Sequence, residues 1–71
     1  MKIGEKAHFS HYACDICGTP KPQKIIDGVV RGRSWALMCP DCHKLFGVGL
    51  GTGKGQLFEK QADGSYVKVG G

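Results

Sequence analysis

Seventy-one residues allow one domain and only a small core, a size at which a metal or covalent cross-links commonly supplement packing. Six aromatics against twelve glycines leave little apolar surface to offset ordering entropy, and no stretch is apolar enough to span a bilayer as a helix. The formal charge of +4 permits an anionic partner without demanding one. Because ionised metal-binding cysteines carry negative charge, four thiolates around one dication would leave the folded chain near about +2.

The first twelve residues read as a polar lead-in. The opening Met1-Lys2-Ile3-Gly4-Glu5-Lys6 is charged and no apolar export segment follows it, so a cytoplasmic, reducing setting is expected. His8, His11, Cys14 and Cys17 fall at a spacing of three. That spacing admits a second metal site. The plainer expectation is a surface segment that packs Phe9 and Tyr12 against the module that follows.

Cys14-Asp15-Ile16-Cys17 and Cys39-Pro40-Asp41-Cys42 are both C-x-x-C, with 21 residues between them. Two intervening residues let one tight turn aim both sulfurs at a common point, and two such turns complete a tetrahedral thiolate site. The prediction is one structural Zn2+ on Cys14, Cys17, Cys39 and Cys42, with iron as the other metal this donor set admits. Gly18 after the first pair suits a positive φ that turns backbone N–H groups toward sulfur. Thr19-Pro20-Lys21-Pro22 is expected to leave the turn as a stiff, extended run.

Residues 23–38 read as a β-hairpin. Asp27-Gly28 and Arg31-Gly32-Arg33 compete for its turn. The second is preferred because it returns Trp35–Met38 to the metal, which leaves Asp27-Gly28 as a bulge or kink. The second cysteine pair should open a short helix: Pro40 suits the first helical position, Asp41 the first turn, and Gly47 a left-handed stop. Leu45 and Phe46 are then expected to pack toward the hairpin and Trp35.

From Gly47 to Gly55 every second residue is glycine. The run fails both the phosphate-loop pattern, since Gly55 follows Lys54, and the dinucleotide fingerprint, since position 52 is Thr. An extended segment with one bare face is expected instead, lying against the protein itself or open to a partner. Gln56–Gln61 and Ser65–Val69 read as strands joined at Ala62-Asp63-Gly64, with Gly70-Gly71 frayed. The organisation expected is a single domain over residues 1–71: a lead-in at 1–12, a zinc module at 13–47, and a glycine-rich loop and β-hairpin extension at 48–69.

On these residues the chain resembles the treble-clef zinc fingers, in which a knuckle such as Cys14–Gly18 precedes a β-hairpin and the second cysteine pair opens a helix. The resemblance implies an α+β fold, with a zinc ribbon as runner-up; ribbons carry glycine after each pair, where this chain has His43. Trp35–His43 also resembles the helix entry of HNH-type endonucleases, but residues 18–38 contain no histidine to act as the general base. The whole pattern is similar to small, uncharacterised zinc-finger proteins of bacteriophages and prophages, which implies a bacterial or phage-infected cell. No acid–base pair stands in a supporting motif, so no enzymatic activity is expected. Arg31, Arg33, Lys44 and Lys54, with the glycine-rich loop, suggest a nucleic-acid-binding module. The alternative is a protein-interaction module, such as a phage factor that docks on a host protein.

Overall fold

The computed structural model describes residues 2–9, 11–32 and 34–71. It is a small α+β unit: strands β1 (Lys24–Val29) and β2 (Trp35–Met38), helix α1 (Pro40–Phe46), then strands β3 (Gly55–Lys60) and β4 (Tyr66–Gly70). The four strands form one antiparallel sheet in the order β2-β1-β3-β4. The C-terminal hairpin is therefore no appendage. Its first strand pairs directly with β1, Ile25 facing Phe58 and Gly28 facing Gly55.

Centrality explains the composition of β1. Ile25 and Ile26 are both buried although they point to opposite faces, because each face of β1 is covered. On one face Ile25 joins Leu37, Phe58, Tyr66 and Ala7, with Phe9 and Tyr12 packed against them. On the other, Met38 and Val30 pack with Cys14, Cys39 and Cys42. One core is hydrocarbon and aromatic; the second is built largely of cysteine.

The β1–β2 connection falls at residues 30–34, where the Val30 N–H donates to Ser34 O and Gly32 takes a φ of +74°. The turn preferred from sequence is the one formed, but Asp27-Gly28 is neither bulge nor kink. Both residues keep regular register with β2 and β3. Gly28 is needed for close approach: a Cβ there would sit 2.9 Å from Lys54 O and 3.2 Å from the Gly55 Cα. The sheet's irregularity lies instead between Leu57 and Phe58 in β3.

Residues 4–7, expected as lead-in, run along the free edge of β4. Gly4 N–H donates to Lys68 O, Lys68 N–H to Glu5 O and Ala7 N–H to Tyr66 O. The aromatic pair expected to pack on the metal module packs on the hydrocarbon core: Phe9 meets Phe58 edge-on and Tyr12 stacks on Tyr66 at 4.9 Å. The buried Tyr66 hydroxyl donates to Pro22 O at 2.6 Å, which satisfies its one polar atom. Gly70 pairs with Leu57, and Gly71 lies against the Gly55 carbonyl, so the expected fraying is not seen.

Candidate metal centre

The first cysteine turn is closed by its own backbone. Cys14 N–H donates to Thr19 O, and Gly18 N–H donates back to Cys14 O with Gly18 at φ +80°, as its position after the pair suggested. Ile16 and Cys17 N–H groups point at Cys14 Sγ from 3.4 and 3.5 Å. The exit differs from expectation. Ala13 bridges Pro20 and Lys21 takes a φ of +39°, donating its N–H to Tyr12 O, so residues 13–20 double back as a small hairpin.

Asp15 fastens this hairpin to the sheet. Its N–H donates to Leu37 O at 2.7 Å, and its Oδ2 accepts from Leu37 N–H at 2.9 Å. That pair of bonds carries the knuckle to the end of β2, where Cys39 follows Met38. Cys39 is the N-cap of α1, Pro40 occupies the first turn and Cys42 lies buried one turn in. Pro40 and Asp41 stand where the sequence placed them, and the helix ends before Gly47 as expected.

Gly47 stops the helix for a different reason from the one its position suggested. Its φ of −80° is open to any residue, so no left-handed cap is involved. A Cβ at this site would overlap the His43 imidazole. That ring is held by its Nε2 donating to Gly49 O at 3.0 Å, which ties the helix to the glycine-rich loop. His43 thus acts as a strut, and the only cluster of potential metal ligands among the described residues is the four cysteines.

All four sulfurs lie within 4.8 Å of one another, and none is in a disulfide. Cys17 Sγ and Cys39 Sγ, one from each pair, are 3.7 Å apart. Sulfurs placed tetrahedrally about 2.3 Å from a zinc ion stand about 3.8 Å apart, whereas a disulfide needs about 2.05 Å. The donor set therefore fits a single four-coordinate ion. Three of the cysteines are buried and Cys17 is exposed.

Without a cation the four groups oppose one another. Cys17 is drawn down to about 6, chiefly by the Thr19 hydroxyl 3.1 Å from its sulfur. At Cys14 burial is the largest influence and acts upward, but N–H groups of Cys17, Cys39 and Ile16 together bring it below the ordinary thiol value. At Cys39 the Cys42 N–H acts downward, yet burial and the Cys17 and Cys14 sulfurs leave it raised. Burial, followed by the neighbouring sulfurs, pushes Cys42 far above the thiol range. Packing four acids together makes successive ionisations harder. A divalent ion supplies the charge that lets all four be thiolates.

Backbone hydrogen bonds gather the basic residues at one end of the sheet. Arg31 N–H donates to Phe46 O at 2.7 Å, bringing the β1–β2 turn to the end of α1, which carries Lys44. Val29 N–H donates to Lys54 O at 2.9 Å, bringing the glycine-rich loop to the same end. Arg31, Lys44 and Lys54 are exposed. Among the described residues His11 pairs with Asp15, and no carboxylate is paired with Arg31, Lys44 or Lys54. Arg33 lies outside the described residues.

The loop itself is curled rather than extended. Gly49, Gly51 and Gly53 have φ of +110°, +116° and +75°, and residues 51–55 close a tight turn through Gly51 and Gly55. Part of it packs on the protein, Gly55 against Gly28, while Val48 and Leu50 stay exposed. Leu45 and Phe46, expected to pack toward the hairpin and Trp35, are 68% and 44% exposed, and Trp35 itself is 49% exposed. A seven-residue helix turns one narrow stripe inward, and Cys42 occupies it.

Asp15 and His43 hold partners 22 and 6 residues away, in β2 and in the glycine-rich loop, which their own sequence surroundings do not show. No helix among the described residues is long and apolar enough to cross a membrane. No protein-family model, curated protein or solved structure matches this chain.

Proposed function

We propose that this chain is a non-enzymatic zinc-finger module that binds nucleic acid. One Zn2+ sits on Cys14, Cys17, Cys39 and Cys42 and sets the spacing of knuckle, β2 and α1. Four protein sulfurs leave no coordination position for water, so the ion is structural. The order of knuckle, hairpin and helix favours a treble-clef-like arrangement, here fused to a second hairpin through β3. The thiolates call for a reducing compartment, and the resemblance to phage-encoded zinc fingers makes the cytoplasm of a bacterial or phage-infected cell the setting proposed.

The observation that carries the binding role is that backbone hydrogen bonds bring Arg31, Lys44 and Lys54 to one end of the sheet, without carboxylate partners among the described residues, in a chain that also exposes the rings of Trp35 and Phe46. Unpaired cations attract phosphates, and solvent-facing aromatics offer stacking surfaces. The test is fluorescence anisotropy of the zinc-loaded protein with labelled DNA and RNA across a salt series. Three phosphate contacts predict a log–log salt slope of about −2 on single strands and about −3 on duplex. Loss of binding in a folded R31A/K44A/K54A variant is the expected result. Absence of binding at low salt by folded, zinc-loaded protein would overturn the proposal.

A second reading, a protein-docking module such as a phage factor for a host protein, has its own observation. A hollow of about 400 Å3 is lined by Ile16, Val30, Phe46 and Arg31. Apolar hollows with a charged rim suit a protein side chain. A partner held through it would bind with little salt dependence and lose affinity in F46A rather than in the triple basic variant.

A further inference from the structure

Trp35 stands between two hollows of about 320 Å3 each. One is bordered by His8, His11, Asp15 and Asp27, so two carboxylates face it. The other lies between the indole, the turn of Gly51, Thr52 and Gly53, and Gln56, Lys68 and Gly71. Gln56 brings an amide to its wall, and Gly51, Gly53 and Gly71 leave much of it as bare backbone.

Each part of this second cleft has a physical reason to be there. Gly51 and Gly53 have positive φ, and nothing lies within 4 Å of where a Cβ would be, so that wall is bare backbone beside open space. Gln56 faces Asp27 in register and Lys68 faces Phe58, which places both on the sheet face that Trp35 and Leu37 share. Lys68 is only 7% exposed, so its side chain is packed into the wall. The volume is at the small end of ligand clefts, which run from about 300 to 1,000 Å3, and suits one nucleotide unit rather than a duplex.

We infer that this cleft takes an unpaired base of a single-stranded nucleic acid, stacked on Trp35. The inference rests on the nucleic-acid reading above and narrows it to unpaired strands. The indole offers a π-face to the base, and the Gln56 amide offers a donor and an acceptor to the base edge. The carboxylate-lined hollow on the opposite flank disfavours phosphate, so the backbone leaves over the glycine turn. That path is continuous with the basic end: Lys54 belongs to the same turn, and Trp35 pairs with Val29 just before the turn that carries Arg31. A duplex keeps its bases in the stack and offers only its phosphates to these groups.

Trp35 is the one tryptophan of the chain, so its fluorescence reports on the surroundings of that single ring. Zinc-loaded protein is titrated with a short oligothymidylate and with a duplex of the same length, following indole emission and anisotropy together. The inference predicts quenching by the single strand only and tighter binding of it than of the duplex. It also predicts roughly a 5- to 150-fold loss in W35A, with W35F, which keeps an aromatic face, much closer to the parent. Strand binding that leaves the emission unchanged, with W35A and W35F equal to the parent and R31A/K44A/K54A defective, would overturn the base cleft and leave the basic surface standing. Binding of neither nucleic acid would overturn both.

Discussion

Removing the Asp15 carboxylate tests whether the metal site is pre-organised by the sheet. In D15A the Leu37 N–H loses its side-chain acceptor at 2.9 Å, and the knuckle keeps only the Asp15 N–H to Leu37 O bond. A hydrogen bond to a charged group contributes about 1.5–3 kcal/mol. Asp15 is 38% exposed, and water screening lowers the expectation to about 1–2 kcal/mol. In a domain of this size that corresponds to a fall in Tm of about 4–16 °C. Because the same bond orients Cys14 and Cys17, zinc affinity should fall roughly 5- to 30-fold if the whole effect is felt at the site. Differential scanning fluorimetry and competition with a chelator measure the two quantities. H11A is the control: the exposed pair it breaks is worth only about 0.2–1 kcal/mol. If D15A matches the parent in both assays, the Asp15–Leu37 link does not hold the knuckle in place.

Other consequences follow from packing and charge. G47A should lose about 1–3 kcal/mol in urea unfolding, because its Cβ must displace the His43 ring and break the bond to Gly49 O; a value near zero would mean the ring moves freely. F58A removes a fully buried ring from the hydrocarbon core and should cost about 3–5 kcal/mol, a large part of the roughly 5–15 kcal/mol typical of a whole domain. Burial raises Asp27 above its ordinary carboxyl value, so the folded state resists its ionisation. Its contribution is unfavourable above the folded pKa and vanishes as pH falls below the unfolded one. D27N should therefore be more stable than the parent at neutral pH, with the advantage shrinking on acidification; equal urea midpoints at neutral pH would contradict this.

Local chemistry was the legible part of the sequence. Pro40 and Asp41 marked the start of α1, and Gly18 marked the positive φ after the first cysteine pair. Asp63-Gly64 marked the β3–β4 turn, where Asp63 Oδ1 accepts from Ser65 N–H and Gly64 is at φ +88°. Each depends on partners within a few residues. Pairing across the sheet was not legible. Nothing local shows that β3 returns to β1, or that residues 4–7 line the edge of β4, since those choices are made by burying Ile25, Phe58 and Tyr66 together.

Glycine was misleading because one residue type answers three demands. Gly18 provides a backbone angle, Gly28 permits two strands and a carbonyl to approach, and Gly47 makes room for an imidazole. Composition does not distinguish them. Leu45 and Phe46 were expected to pack toward the hairpin and Trp35, whereas cysteine filled the position available in that second core. The four metal ligands needed only their spacing; Asp15, which ties their first turn to β2, needed the fold.

The central claim is that four thiolates hold one zinc ion whose binding completes the fold. Elemental analysis of the purified protein, combined with a thiol reagent and circular dichroism before and after chelation, tests it most directly. The account predicts one zinc per chain, four thiols unreactive until chelator is added, and loss of structure with metal release, since structural zinc contributes about 10–16 kcal/mol in small domains. A metal-free protein with four reactive thiols and an unchanged spectrum would contradict it.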